Sequence, residues 1–120
     1  MYAMIHRYRM GGGSINDLMR KVDTQFADRL QEQLGILQYQ AIDTGDGTIV
    51  TVTLFEDEET GRRSEAAAAG VRESLAEFRV EEIDALTGDV MVSRATDKVL
   101  EPIHRRVSAS HLSERSRKWS

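Results

Sequence analysis

The chain has 120 residues, of which 40% are hydrophobic and 30% charged, a length and composition typical of one globular domain. It has no window of about 18 consecutive apolar residues, and basic residues interrupt its N-terminal apolar positions, so the sequence predicts neither a membrane span nor a secretory signal. It has no cysteine, which excludes disulfides, thiolate metal sites and thiol nucleophiles. Because cysteine-free chains suit a reducing compartment, we expect a cytoplasmic protein.

Charge divides the chain into two parts. Residues 1–94 carry 10 Lys or Arg against 17 Asp or Glu, whereas residues 95–120 carry 6 against 3. An acidic body repels phosphate, and no nucleic-acid recognition motif is present, so we expect no nucleic-acid partner. The sequence predicts a domain over residues 1–94 and a basic C-terminal tail over residues 95–120. In the tail, Leu100, Ile103 and Val107 could share one face of a short helix opened by Pro102.

The first half of the chain predicts a strand followed by a helix. Residues 2–9 alternate in character, which indicates a strand with every second residue on one side. The Gly11, Gly12 and Gly13 run predicts a tight turn, and Ser14 is a preferred helix N-cap. After it, apolar residues recur at helical spacing until Gly35, which ends the helix; they are Ile15, Leu18, Met19, Val22, Phe26, Leu30 and Leu34.

The second half predicts a hairpin, a helix and a last strand. Residues 36–42 and 48–55 read as strands joined by the turn signal of residues 43–47. A second helix is predicted within residues 56–78, with its clearest spacing from Ser64 onward. Residues 81–94 read as extended, with a bend predicted at residues 87–89. The resulting order is β-α-β-β-α-β.

This order is typical of a ferredoxin-like α+β fold, in which both helices cover one face of a four-stranded antiparallel sheet. The third strand is apolar on both sides, with Ile49 and Phe55 on one and Val50, Val52 and Leu54 on the other. A sheet with one polar face could remain a monomer, but this one requires burial on both faces. The pattern therefore predicts a homodimer in which the open faces of two sheets pack together as a dimeric α/β barrel.

Three polar residues of the body are candidate site residues. His6 and Tyr8 lie on the same side of the first strand, and Tyr39 lies on the second strand. A histidine can accept a proton from a phenolic or enolic substrate, and tyrosines can bond to its oxygens and stack on its rings. The alternative is a buried structural histidine among aromatic side chains. Arg7 and Arg9 point to the other side, toward an interface acid or an anionic substrate.

Other motifs predict structure rather than chemistry. The three glycines lack both the Walker lysine and the dinucleotide spacing, so a plain turn is the better interpretation than a phosphate cradle. Asp43 and Asp46 lack the EF-hand spacing, which favours a hairpin turn over calcium binding. His6, His104 and His111 show no metal-ligand spacing, and we expect neither a metal nor a cofactor. Thr51 and Thr53 could line a pocket, although threonine is common in strands.

The opening strand, the glycine turn into a capped helix, and the run from Val52 through Phe55 to Glu59 resemble the antibiotic-biosynthesis monooxygenase-like family of the dimeric α/β barrel superfamily. The resemblance covers residues 1–93. It implies a homodimer with a pocket between sheet and helices in each subunit, and enzymes that oxidise polycyclic aromatic or quinol-type substrates without a metal or flavin. We therefore predict a cofactor-independent monooxygenase-like protein acting on an aromatic or quinone-like molecule, with catalytic His6 and substrate-binding Tyr8 and Tyr39. The alternative is a non-enzymatic dimeric ligand-binding or protein-interaction module.

Overall fold

A four-stranded sheet and two helices make up most of the structure, a computed structural model that describes residues 1–32, 35–67 and 73–106, except for the side chains of residues 26–32. The elements are β1 (Tyr2–Arg9), α1 (Ile15–Glu32), β2 (Ile36–Gly45), β3 (Thr48–Phe55), α2 (Glu58–Ala67) and β4 (Glu81–Asp89). The strands pair antiparallel in the order β2-β3-β1-β4. The predicted ferredoxin-like α+β fold is confirmed.

The turn between β1 and α1 fixes how the first helix begins. The amides of Gly11 and Gly12 each donate to the Phe78 carbonyl at 3.0 Å, so these donors are occupied by backbone. Gly13 has φ +77°, and a Cβ there would lie 2.7 Å from the Phe78 ring, so both conformation and space require glycine. The Ser14 hydroxyl then accepts a hydrogen bond from the Asp17 amide at 3.1 Å, which confirms the predicted N-cap.

The hairpin between β2 and β3 closes through Asp46 and Gly47. Their φ angles of 54° and 74° are both positive, as a type I′ turn requires. The Asp43 carboxylate accepts a hydrogen bond from the Gly45 amide at 3.0 Å. The acidic residues of this segment therefore stabilise the turn, in agreement with the sequence interpretation.

The two faces of the sheet differ in what covers them. On one face, alternate residues of the central strands β1 and β3 are buried beneath the helices. The opposite face, called here the open face, carries Ile5, Ile42 and Leu86, which are 37%, 42% and 66% exposed. Arg7 also lies on the open face, where its Nη2 donates to the Asp84 carboxylate of the neighbouring strand at 2.9 Å. Arg7 is thus paired within its own sheet.

The buried side chains under the helices form two separate clusters. One contains Leu18, Val22, Ile49 and Phe78, and the other contains Tyr2, Met4 and Phe55. Between them lie buried polar side chains, among them His6, Thr51, Thr53 and Ser64. Burial of unpaired polar groups is costly, and of these four residues only His6 has a buried side-chain atom, Nε2, without a hydrogen-bond partner in the described part of the chain.

The last strand differs from its prediction in two respects. It has no bend at residues 87–89, and it ends at Asp89 and not at residue 94. Residues 87–89 continue the ladder, with Thr87 opposite Met4 and Asp89 opposite Tyr2, so the predicted bend there is wrong. The pairing of β4 with β1 ends at Asp89 opposite Tyr2, and the Val90 amide then donates to the Met1 carbonyl at 2.9 Å. Residues 90–94 therefore do not extend the strand.

The second helix begins earlier than its clearest spacing suggested. It starts at Glu58, where the Asp57 carboxylate accepts a hydrogen bond from the Thr60 amide at 2.7 Å and caps the helix. It is described as far as Ala67, and residues 68–72 lie outside the described residues. Residues 73 and 74 are helical, as predicted, and the chain then forms a 3-10 turn at Ala76–Phe78. The prediction of one helix through Phe78 is therefore wrong for residues 75–78, which form a turn and a 3-10 turn.

The tail is described only in part. A 3-10 turn at Asp97–Leu100 precedes Pro102, and residues 102–106 have no regular helix, so a helix beginning at Pro102 is not observed over this stretch. Val107, His111 and Trp119 lie outside the described residues, as do the side chains of Phe26 and Leu30 and all of Leu34. A boundary at residue 94 remains a prediction. No helix in the described ranges is long and apolar enough to cross a membrane.

Candidate functional site

A cavity of about 370 Å³ lies between the sheet and the helices, in the gap between the two buried clusters. Its walls come from β1 and β3 below, α1 and α2 above, and the segment of residues 75–82. Small-molecule sites in proteins typically measure roughly 300–1,000 Å³. The cavity is therefore large enough for a ligand of two or three fused rings.

His6 supplies the least satisfied polar atom of the cavity. The residue is 7% exposed, and its Nε2 has no hydrogen-bond partner within the part of the chain that the structure describes. Its ring stacks on Tyr8, with centroids 5.8 Å apart and planes inclined by 19°. The stacking holds the imidazole in place, and the unpaired nitrogen of a cavity-lining residue leaves a bond for a ligand to make.

Two carboxylates stand close to the same nitrogen. The Oε1 of Glu65, on α2, lies 3.7 Å from His6 Nε2, and the Oε1 of Glu82, on β4, lies 3.6 Å from it. These separations exceed hydrogen-bond distance. Both glutamates line the cavity, so a ligand atom that bonds to the imidazole also lies close to two carboxylates.

Tyr39 forms another wall of the cavity, together with the predicted His6 and Tyr8. Burial, reinforced by the neighbouring Tyr8, raises the pKa of Tyr39 well above its usual value. The phenol of Tyr39 therefore stays protonated throughout the physiological range and can donate a hydrogen bond. The structure thus brings the three sequence-predicted residues to one cavity.

The rest of the lining is mainly apolar, with a few hydroxyls. Thr51 and Thr53 follow one another on the buried side of β3, opposite His6 and Met4. In the sequence, the strand propensity of threonine was enough to explain both residues. In the structure, both line the cavity. The apolar lining includes Met19, Val22, Ile36, Leu75 and Val80.

Sequence reasoning missed the glutamates and Arg79. Glu82 faces the cavity only because a register shift in β4 places it opposite Tyr8, and Glu65 does so because α2 begins at Glu58. Arg79 lines the cavity but its Nη2 donates to the Gly11 carbonyl at 2.8 Å. Among the described residues, no group of histidine and acidic side chains is arranged to hold a metal ion.

The fold and the cavity together define the class: this is a ferredoxin-like α+β protein with the fold of antibiotic-biosynthesis monooxygenase-like proteins. SnoaB, a cofactor-independent oxygenase from Streptomyces nogalater, superposes with a TM-score of 0.59 and 14% identity, over 77% of this chain and 94% of its own. HapK from Hahella chejuensis superposes with a TM-score of 0.59 and 15% sequence identity, over 80% of this chain and 98% of its own. These superpositions confirm the predicted resemblance at the level of fold.

A third similar structure carries a ligand. It is the monooxygenase from the gene ActVA-Orf6 of Streptomyces coelicolor in complex with nanaomycin D, with a TM-score of 0.54 and 15% identity over 78% of this chain and 92% of its own. No protein-family model and no curated protein sequence matches the chain. At these identities the similarity establishes the fold, and function has to be argued from the site.

Proposed function

We propose that this protein is a cofactor-independent monooxygenase of the antibiotic-biosynthesis monooxygenase-like family, acting on an aromatic or quinone-like small molecule. The observation that carries the proposal is the unpaired Nε2 of buried His6 in a largely apolar cavity of about 370 Å³. The neighbours by fold support it, because they include a cofactor-independent oxygenase and a monooxygenase with a bound ligand.

His6 acts as the proton acceptor in this proposal. Its Nε2 takes a proton from a phenolic or enolic group of the substrate, and the resulting anion is electron-rich enough to reduce O₂ directly. For a ring methylene, the balanced outcome is a carbonyl and one water: one oxygen atom joins the carbon and the other leaves with the two hydrogens. No electron donor besides the substrate is needed.

Tyr8 and Tyr39 bind and position the substrate. Tyr39 is held in its neutral form, so its hydroxyl donates to a substrate oxygen, while Tyr8 is stacked against the His6 ring. The apolar lining excludes water from the rest of the substrate, which strengthens these polar contacts. An anion that forms beside a fixed donor is stabilised more than the neutral substrate is, as catalysis requires.

The open cavity favours this function over a non-enzymatic interaction module. A module of that kind needs no space beside His6, whereas an enzyme requires it. The space is present, and its volume lies in the ligand-binding range. The interaction module remains the second hypothesis, and a failure of every aromatic ligand to bind would favour it.

We further propose that the functional unit is a homodimer formed through the open face. Ile5 and Leu86 are cross-strand neighbours on that face and are 37% and 66% exposed. Val50, Val52 and Leu54 of the central strand β3 alternate onto the same face. A second copy would bury these side chains, at about 25 cal/mol for each Å² of apolar surface.

Oxygen uptake tests the proposed activity. The purified protein is offered polycyclic phenols, anthrones and quinols, and consumption of O₂ is followed with product analysis. We expect turnover with at least one of them, reduced roughly 10²- to 10⁴-fold in His6→Gln, because glutamine can bond to the substrate but cannot accept its proton. His104→Gln is the matched control, since His104 pairs with Asp23 at 3.3 Å and is not among the cavity-lining residues.

The melting temperature distinguishes catalysis from structural support. His6→Gln and the wild type should unfold at nearly the same temperature if the imidazole serves a ligand. Equal turnover in His6→Gln and wild type would contradict the proposed role, and a large loss of stability without a specific loss of turnover would identify His6 as a structural histidine.

A further inference from the structure

Glu65 and Glu82 are the charged groups nearest to the ligand-facing nitrogen of His6. They come from two different elements, α2 and β4, and their Oε1 atoms lie 3.7 and 3.6 Å from Nε2. Their side chains are 48% and 42% exposed, so both carboxylates keep part of their hydration while facing the cavity. The proposed reaction assigns no role to either of them.

We propose that Glu65 and Glu82 determine the charge selectivity of the cavity. They favour an aromatic ligand that brings a neutral hydroxyl or an amine to His6, and they reject a ligand of equal size that brings a carboxylate. The inference rests on the proposed function in one respect, namely that the ligand is aromatic and bonds to His6 Nε2.

Distances define how close a ligand charge must come to the glutamates. A ligand atom within about 3.2 Å of Nε2 makes a hydrogen bond to it. The same atom then lies no more than about 7 Å from either carboxylate oxygen, since each oxygen is within 3.7 Å of Nε2. That separation is below the roughly 8 Å over which physiological salt screens charges, so a ligand anion is repelled by two glutamates at once. A hydroxyl can instead donate to a carboxylate.

Two positive side chains near the cavity are held by other groups. Arg79 lines the cavity, but its Nη2 is bonded to the Gly11 carbonyl at 2.8 Å and so is held at the glycine turn. Lys21, which approaches the Phe78 ring to 5.7 Å, forms an ion pair with Glu77. The Oε1 atoms of Glu65 and Glu82 both lie within 4 Å of His6 Nε2.

Two naphthalene probes that share the same ring system test the inference at pH 7. 2-Naphthol carries a neutral hydroxyl, and 2-naphthoate carries a carboxylate at the same ring position. Dissociation constants are measured by titration calorimetry for the wild type and for the double variant Glu65→Gln/Glu82→Gln. We expect the wild type to bind 2-naphthol at least about tenfold more tightly than 2-naphthoate, and the double variant to lose most of that ratio through tighter 2-naphthoate binding.

A second double variant controls for net charge. Glu56→Gln/Glu101→Gln removes two exposed carboxylates that do not line the cavity, and it should keep the wild-type ratio. Unchanged selectivity in Glu65→Gln/Glu82→Gln, equal loss in both double variants, or no binding of 2-naphthol by the wild type would each overturn the inference. Oxygen uptake is scored separately, so the absence of turnover with intact selectivity would contradict the proposed reaction alone.

Discussion

At the scale of single residues, the site combines groups that folding alone does not explain. His6 is buried with an unpaired Nε2, and Thr51 and Ser64 are buried nearby, between two apolar clusters. Apolar side chains of similar size would join the clusters and avoid the cost of burying polar groups. Among these groups, His6 Nε2 is the atom that has no hydrogen-bond partner in the described part of the chain, and the proposed ligand would supply one.

Tyr39 makes the stability of the protein sensitive to alkaline pH. Because burial raises its pKa above the usual 10.0, the folded protein keeps the proton that the unfolded chain loses above pH 10. Stability is therefore retained below pH 10 and falls as pH rises toward the folded pKa. In Tyr39→Phe this loss is absent, so the difference in unfolding free energy between wild type and variant should change by up to about 1.4 kcal/mol per pH unit above pH 10.

Urea unfolding of both proteins at pH 8, 10 and 11 measures this difference. Every other ionisable group is present in both proteins, so its contribution cancels in the comparison. A difference that stays constant from pH 8 to pH 11 would show that Tyr39 ionises normally and is not buried against the cavity.

Asp57 gives the opposite dependence at acidic pH. Hydrogen bonds from Thr60, through its side chain first and its backbone second, lower the pKa of Asp57 below the usual 3.8. Its stabilising effect is present above pH 3.8 and disappears as pH falls through the lowered value. Asp57→Ala should lower the melting temperature at pH 7, whereas Asp57→Asn keeps the cap and loses less. Equal melting of all three proteins at pH 7 would rule out the cap.

Alternation in the sequence predicts the position of some cavity-lining residues and not of others. His6 and Tyr8 share a side of β1 through the two-residue period of any strand, and a sequence shows that directly. Glu82 depends on a register shift between β1 and β4, and Glu65 depends on how α2 packs on the sheet. Both are set by contacts between distant segments, which no local pattern records.

At the scale of elements, the turn at Gly11–Gly13 packs the start of α1 against Phe78, within the segment of residues 75–82 that lines the cavity. Gly13→Ala should destabilise the protein by at least about 1–2 kcal/mol, because alanine disfavours the left-handed backbone. The new Cβ would also lie 2.7 Å from the Phe78 ring. Gly88→Ala is the control, since a Cβ there meets no atom within 4 Å. Urea unfolding should separate the two variants, and equal stability would contradict the close packing of Phe78.

The order of elements was predictable, and their ends were less so. Turn glycines and caps such as Gly13, Ser14 and Gly47 act locally, and the β-α-β-β-α-β order followed from them. The end of β4 at Asp89 depends on its pairing with β1, which is distant in sequence. The sequence pattern through residue 94 reads as extended whether or not a partner strand is present.

At the scale of the whole molecule, the exposed apolar side chains of the open face predict a homodimer. Ile5→Asp places a charge between Val52 and Leu86 and should convert a dimer into monomers of 13.5 kDa. Analytical ultracentrifugation measures the mass, and circular dichroism verifies that the variant is folded. Ala66→Asp, on the exposed surface of α2, should leave the dimer intact. A wild type that sediments as a monomer at micromolar concentration would contradict the proposed dimer.

The central claim is that a cavity ligand bonds to Nε2 of His6, and nitrogen NMR of histidine-labelled protein tests it most directly. His6 is assigned by comparison with His6→Gln, and the spectrum is recorded with and without saturating 2-naphthol. The account predicts a shift of the His6 Nε2 resonance, with His104 unchanged because it lies outside the cavity lining. Saturation with ligand while the His6 resonance stays in place would contradict the claim.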